Sequence, residues 1–112
     1  MTVVTLSCGK NGVLKKCEAN GHACFSKKGT DIVCSAITIL LRTSMQVLSH
    51  TEDVSLIAET STRGNLAFSV EAKGENPKTE IRLKYVADFI RNGIGSLAKD
   101  FPENVSFYEV EA

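Results

Sequence analysis

A cysteine and a histidine on either side of a short polar segment are the residues of this sequence most suited to covalent chemistry. Cys34 lies near the start of an apolar helical pattern, and His22 lies twelve residues before it. The first turn of a helix favours a thiolate, because unpaired backbone N–H groups and the helix dipole stabilise the anion. A histidine alongside could accept the thiol proton and return it to a leaving amine. This pair could therefore carry out nucleophilic acyl transfer.

The same residues also have a simpler structural interpretation. Two histidines and four cysteines give eight His–Cys pairs in 112 residues, so one pair near a helix start is unsurprising. Buried cysteines usually act as small apolar side chains, and we predict strand packing for Cys8 and Cys17. Asp31 is a favourable helix cap, and His50 is expected to interact with a helix dipole. Spacing alone does not decide between the two interpretations.

The cysteine spacing argues against a metal or cofactor site. The chain contains no Cys-x-x-Cys pair, and His22 with Cys24 is its one close pair of possible ligands. Structural zinc sites and thioredoxin-type sites use such close pairs. We therefore predict no metal, no cofactor and reduced thiols.

The termini and composition narrow the class of protein. Lysines follow the apolar N-terminal segment, which is the wrong order for a secretory signal, and the longest apolar stretch, around residues 34–41, is far short of a membrane span. Thirteen basic and thirteen acidic residues give no net charge, so direct nucleic-acid binding is not expected. We predict one cytoplasmic domain over residues 1–112, with no membrane contact.

The first half of the chain predicts two strands, a long connection and a helix. The strands flank Asn11-Gly12, a strong hairpin signal, and the second runs over residues 13–19. The connection that follows has glycines near its ends, Gly21 and Gly29, which we predict to be hinges of a loop that closes over substrate. The helix is predicted to run from Asp31 to near His50, with Asp31 or Thr30 able to cap its start.

The second half predicts a hairpin, a helix and a closing strand. Residues 55–62 and 65–73 are predicted to pair about Arg63-Gly64. Asn76-Pro77 is typical of an N-cap followed by proline at the first helical position, and residues 105–110 form the last strand. The order ββαββαβ predicts an α+β fold, a mainly antiparallel five-stranded sheet packed with two helices.

Both helices have wide apolar faces. The first half of the first helix is apolar on nearly every side, since Ile32, Ile39 and Leu41 lie off its main stripe, so it must be covered on more than one face. We therefore predict a homodimer. The buried side of the second helix is predicted to comprise Ile81, Val86, Phe89, Ile90, Ile94, Leu97 and Phe101.

The residues around the candidate pair carry a family resemblance. The sequence reads Gly21-His22-Ala23 and, after a short variable segment, Gly29-Thr30-Asp31-Ile32-Val33-Cys34-Ser35. This resembles the ribosomal-processing cysteine protease family, Prp, whose small bacterial members have Gly-His-Ala followed by Gly-x-Asp-Ile-Val-Cys. The resemblance extends over the whole chain in length and element order.

The resemblance implies a cysteine endopeptidase that removes the short N-terminal extension of bacterial large-subunit ribosomal protein twenty-seven before or during ribosome assembly. It also implies a homodimer. The family's nucleophile falls on Cys34, its histidine on His22, its aspartate on Asp31, its loop glycines on Gly21 and Gly29, and its small residue after the cysteine on Ser35. Cys24 departs from the pattern, and a disulfide between Cys24 and Cys34 could silence the enzyme under oxidation.

In the mechanism that follows, the Cys34 thiolate attacks the scissile carbonyl. His22 transfers the proton, and water hydrolyses the acyl-enzyme. Backbone N–H groups at the helix start, including that of Cys34, are candidate oxyanion donors. Asp31 is assigned first to capping. Two alternatives stay open: a redox-sensing thiol switch of Cys34 with Cys24, which needs no histidine, and a non-catalytic ribosome-associated binding module, which needs neither group.

Overall fold

The computed structural model describes residues 1–21, 28–59 and 65–112, with residues 28–31 described by their backbone alone. Its elements are β1 (Thr2–Cys8), β2 (Leu14–Gly21), α1 (Lys28–Ser49), β3 (Val54–Glu59), β4 (Asn65–Ala72), α2 (Pro77–Asp100) and β5 (Val105–Glu111). The order ββαββαβ and the α+β class confirm the predicted fold. His22, Cys24 and the turn predicted at Arg63-Gly64 lie outside the described residues.

The five strands form one mixed sheet in the order β3-β4-β2-β1-β5. Every neighbouring pair is antiparallel except β1 and β5, which are parallel. The hairpin predicted at Asn11-Gly12 is present. Gly12 has a φ of 83°, in the left-handed region that favours glycine, and its N–H donates to the Gly9 carbonyl at 2.9 Å. The ladder next to this turn pairs Cys8 with Leu14, and a β-bulge between Ser7 and Cys8 shifts the register by one residue, so that Thr2 lies opposite Gly21 at the far end of the hairpin.

The two helices pack side by side on the sheet, α1 mainly against β3 and β4 and α2 mainly against β5, β1 and β2. In β1, Val4 and Leu6 are fully buried, whereas Val3 and Thr5 on the opposite face are half-buried. This alternation is the pattern of a sheet with one covered face. Strand and helix side chains form a single core.

The start of α2 confirms the sequence prediction. The Asn76 side chain accepts a hydrogen bond from the Lys78 N–H at 3.0 Å, and Pro77 occupies the first helical position. At the other end, the Phe101 N–H donates to the Leu97 carbonyl at 2.8 Å before Pro102 stops the helix.

The predicted buried side of α2 is partly wrong. Ile81 and Phe89 are 51% and 45% exposed, and Phe101 is also exposed. Leu83 and Ala87 are fully buried instead. In this two-layer fold only one stripe of α2 meets the sheet and α1, so apolar residues on its outer side stay on the surface.

The apolar stretch in α1 is longer than the one predicted around residues 34–41. Its 18 residues from Ile32 to Ser49 are long and apolar enough, by length and composition alone, to cross a membrane. Here Val33, Ile37 and Leu41 pack into the core. Core helices of globular domains share this composition but are mostly buried, whereas 28% of this stretch is buried.

The helices make a close contact where Leu40 meets Gly93. A Cβ on Gly93 would lie 3.1 Å from both Leu40 methyl carbons, whereas a Cβ on Gly95 would meet nothing within 4 Å. We expect Gly95→Ala to raise the free energy of unfolding by about 1 kcal/mol, because mid-helix glycine is entropically costly. Gly93→Ala should gain less or lose stability, because Leu40 must move. Urea denaturation measures both, and equal gains would contradict the packing explanation.

Candidate active site

Cys34 is the seventh residue of α1 and lies in its second turn. Its side chain is half-buried, between the buried Val33 and the exposed Ser35. At 3.6 residues per turn, Cys34 lies about 120° around the helix from Leu40, the residue that contacts α2. The thiol is therefore on the side of α1 that faces away from α2, toward the β3 side of the sheet.

The helix begins earlier than predicted, and this corrects two expectations. Because α1 starts at Lys28, Asp31 is its fourth residue and not its N-cap. Gly29 is the second residue of the helix, and its role as a hinge stays a prediction. The Cys34 N–H belongs to the intrahelical ladder, so it is not an oxyanion donor.

The earlier start has a physical reason. In an α-helix each N–H donates to the carbonyl four residues earlier, so the N–H groups of Ile32, Val33 and Cys34 need the carbonyls of residues 28–30 as acceptors. Val33 is 1% exposed, so its amide has no access to water and must be paired within the protein. The extra helical turn supplies these acceptors.

Gly21 is the last residue of β2 and immediately precedes His22 in the chain. Its φ is 140°, and a Cβ there would overlap the Met1 carbonyl oxygen and lie 2.9 Å from the Thr2 Cα. No side chain fits without moving backbone. The first residues of β1 therefore fix the point from which the chain leaves the sheet toward His22.

The sequence analysis gave Met1 and Thr2 no role. The register that sets Thr2 opposite Gly21 depends on the β-bulge between Ser7 and Cys8, which no signal in the sequence predicts.

The other described cysteines are core residues, as predicted. Cys17 is fully buried, and burial raises the pKa of its thiol to about 12. Burial likewise raises the pKa of Cys8, whose sulfur lies 4.0 Å from Arg91 Nη2. Neither is suited to act as a thiolate nucleophile at neutral pH.

His50 is not placed to assist Cys34. It follows the C-terminal end of α1, and its Nδ1 donates to the Gln46 carbonyl at 2.8 Å. It lies sixteen positions after Cys34, about 24 Å along the helix axis. His50 therefore lies too far along the helix to form a dyad with Cys34.

These differences predict selective alkylation. At pH 8, iodoacetamide should modify Cys34 at least about 100-fold faster than Cys17, because the Cys17 thiol is buried and protonated at that pH. Cys8 should also react slowly. Peptide mass mapping against time measures each rate, and comparable rates for Cys34 and Cys17 would contradict the assignment.

Within the described ranges, no three His, Cys, Asp or Glu side chains come together as a possible metal site. The described geometry is thus a half-buried thiol on α1 and a strand, β2, that ends at Gly21, immediately before His22 in the chain. It is compatible with thiol nucleophilic chemistry.

Comparisons with known proteins give a family match. The model of the family described as cysteine protease Prp matches residues 1–106. A search of curated proteins finds no match.

Solved structures share the fold over nearly the whole chain. SMU.848 from Streptococcus mutans is 24% identical, with a TM-score of 0.80 over 100% of this chain and 96% of that one. The ribosomal processing protease Prp from S. aureus in complex with a substrate peptide is 14% identical, with a TM-score of 0.77 over 97% of this chain and 99% of that one. The same S. aureus protease with a covalently linked product peptide aligns at 16% identity with a TM-score of 0.73, again over 97% and 99%.

Proposed function

Because the chain belongs to the cysteine protease Prp family, we propose that it is a cytoplasmic endopeptidase that removes the N-terminal extension of bacterial large-subunit ribosomal protein twenty-seven during ribosome assembly. The observation that carries this proposal is the position of Cys34. Among the described cysteines it is the one that is not buried, and it lies on a helix that begins at the same end of the sheet where β2 ends, one residue before His22 in the chain.

The proposed reaction is acyl transfer through a thioester. The Cys34 sulfur attacks the scissile carbonyl carbon, and the C–N bond breaks as His22 donates a proton to the leaving amine. Water then attacks the thioester, with His22 accepting its proton, and the carboxylic acid product leaves as the thiol is restored. First-turn N–H groups around residues 28–30 are the proposed oxyanion donors.

The position of Cys34 in the second turn increases the expected contribution of His22. The dipole effect is strongest within the first turn of a helix and decreases beyond it. The remaining source of thiolate stabilisation is an adjacent imidazolium, as in other Cys–His pairs. His22 is therefore proposed to stabilise the thiolate as well as to transfer the proton.

The direct test mixes the purified protein with unprocessed ribosomal protein twenty-seven and measures product mass. A shortened product with a new N-terminus is expected, and absence of cleavage under reducing conditions would overturn the proposal. His22→Gln separates the alternatives, because only the protease requires that residue. A redox switch through Cys24 and Cys34 would survive the substitution.

The outer side of the two helices supports the proposed homodimer. Six large apolar side chains are exposed there: Ile32, Ile39, Val47, Ile81, Tyr85 and Phe89. Val47 and Tyr85 line one groove between α1 and α2, so the apolar surface continues from one helix to the other. Monomeric proteins rarely expose an extended apolar patch, and a second copy would cover this one.

A charge in this face should prevent association. Tyr85 is 69% exposed, so Tyr85→Glu should leave the monomer folded but place a carboxylate in the proposed interface. Sedimentation velocity at micromolar concentration should shift from about twice 12.1 kDa to 12.1 kDa. Tyr108→Glu, at an exposed tyrosine of β5 on the opposite face of the sheet, is the matched control. A wild-type species of monomer mass alone would reject the dimer.

A further inference from the structure

We propose that the outer edge of β3 binds the substrate in extended conformation, so that the peptide adds a sixth strand to the sheet and its main chain continues to Cys34. This inference rests on the proposed peptidase function and specifies how that site holds its substrate. The recognised chemistry is the peptide backbone itself, with alternate side chains directed toward α1.

The strand order places β3 at one edge of the sheet. The Lys73 N–H donates to the Asp53 carbonyl at 2.7 Å, one pair before the first β3–β4 pair. Hydrogen-bonded and non-hydrogen-bonded pairs alternate in an antiparallel ladder, so Ser55 and Ile57 bond to β4. The N–H and C=O groups that point away from β4 are those of Val54, Leu56 and Ala58.

The edge of β3 lacks the features that usually prevent pairing. Natural edge strands carry lysine, proline or several charges. The β3 sequence, Val-Ser-Leu-Ile-Ala-Glu, has neither lysine nor proline and has one charged residue, Glu59. The opposite edge strand, β5, carries Glu109 and Glu111, and Glu109 is held by Arg91 with an N–O distance of 2.9 Å. The β3 edge is therefore the more suitable of the two for an added strand.

The β3 edge also lies on the side of the sheet where Cys34 is placed. Thr38 and Met45 follow Cys34 along the flank of α1 that faces away from α2, and α1 packs against β3. The C-terminal end of α1 and the start of β3 lie at the same end of the sheet, so positions along both can be compared from there. Ala58 lies roughly 13 Å along β3 from that end, and Cys34 lies roughly 22 Å along α1 from it. The difference of about 9 Å is about three residues of extended chain. A peptide paired with Leu56 and Ala58 would therefore reach the sulfur soon after leaving the strand.

Hydrogen exchange tests the proposal independently of turnover. The probe is a synthetic peptide spanning the extension and cleavage site of ribosomal protein twenty-seven, mixed with the full-length Cys34→Ala protein. The Leu56 and Ala58 amides should exchange at least about tenfold more slowly with peptide, whereas that of Ile57, already bonded to β4, should change little. Unchanged edge amides, or protection at β5 instead, would overturn the proposal. So would protection that rises with protein concentration in the absence of peptide, because the edge would then pair with a second copy.

Ala58→Pro provides the kinetic test, with Ala58→Val as its matched control. Proline removes an N–H that faces the open edge and leaves the bonds to β4, so edge strands tolerate it, and valine keeps the N–H. We expect kcat/KM to fall about tenfold for Ala58→Pro relative to Ala58→Val, mainly through KM. Equal values in two proteins of equal melting temperature would overturn the edge proposal alone, whereas failure of the wild type to cleave would overturn the proposed function.

Discussion

Cys34→Ala will abolish cleavage of the unprocessed ribosomal protein and leave the fold intact. The sulfur is the proposed nucleophile, and alanine offers no atom that can form the acyl intermediate, so the rate should fall by at least about 1,000-fold. Stability should change little, because Cys34 is half-buried and alanine is the best helix former. Product mass against time measures the rate, and circular dichroism with urea denaturation measures the fold.

The control variants distinguish a nucleophile from a redox partner. Cys24→Ala should retain cleavage under reducing conditions, because the proposed mechanism uses one thiol. His22→Ala should lose activity to a similar extent as Cys34→Ala, and the double variant should lose little more, because residues that act as one unit are not additive. Full activity of Cys34→Ala would contradict the assignment of Cys34 as the nucleophile. Loss of activity in Cys24→Ala would show that a second thiol takes part.

The strands and the start of α2 could be predicted because their signals are local. Asn11-Gly12 specifies a tight turn, and Asn76-Pro77 specifies a capped helix start. The start of α1 could not be predicted in the same way. Asp31 is a good cap by residue type, yet burial of Val33 requires carbonyl acceptors from the preceding turn. Tertiary packing thus overrode a local preference.

The buried faces show the same limit. Ile81 and Phe89 fit the apolar period of α2 as well as Leu83 does, and packing against the sheet and α1 decides which of them is covered. For the candidate site, residue types pointed to Cys34 and His22. The requirement for glycine at position 21 comes from close contact with the backbone of Met1, twenty residues away in sequence. A pattern within one element carries no direct information about such contacts.

Gly21→Val is expected to reduce kcat/KM by about 100-fold or more, because it displaces the backbone that carries His22. Valine at a φ of 140° is strained, and its Cβ would overlap the Met1 carbonyl oxygen and approach the Thr2 Cα. The ends of β1 and β2 must therefore separate or shift in register. A displacement of about 1 Å at a catalytic group can cost about 100-fold in rate. The measurement is kcat/KM on the extension peptide, taken well below the melting temperature of each variant.

Gly12→Ala is the matched control, because Gly12 also has a positive φ of 83° but a Cβ there would meet nothing within 4 Å. It lies at the turn between β1 and β2, at the opposite end of the hairpin from Gly21. Gly12→Ala should therefore lower the free energy of unfolding by about 1 kcal/mol and leave kcat/KM unchanged. Gly21→Val should instead lower kcat/KM far more than its loss of stability explains, with slower thiol alkylation if His22 moves away from Cys34. Wild-type turnover in a folded Gly21→Val protein would show that contact with Met1 does not position the histidine.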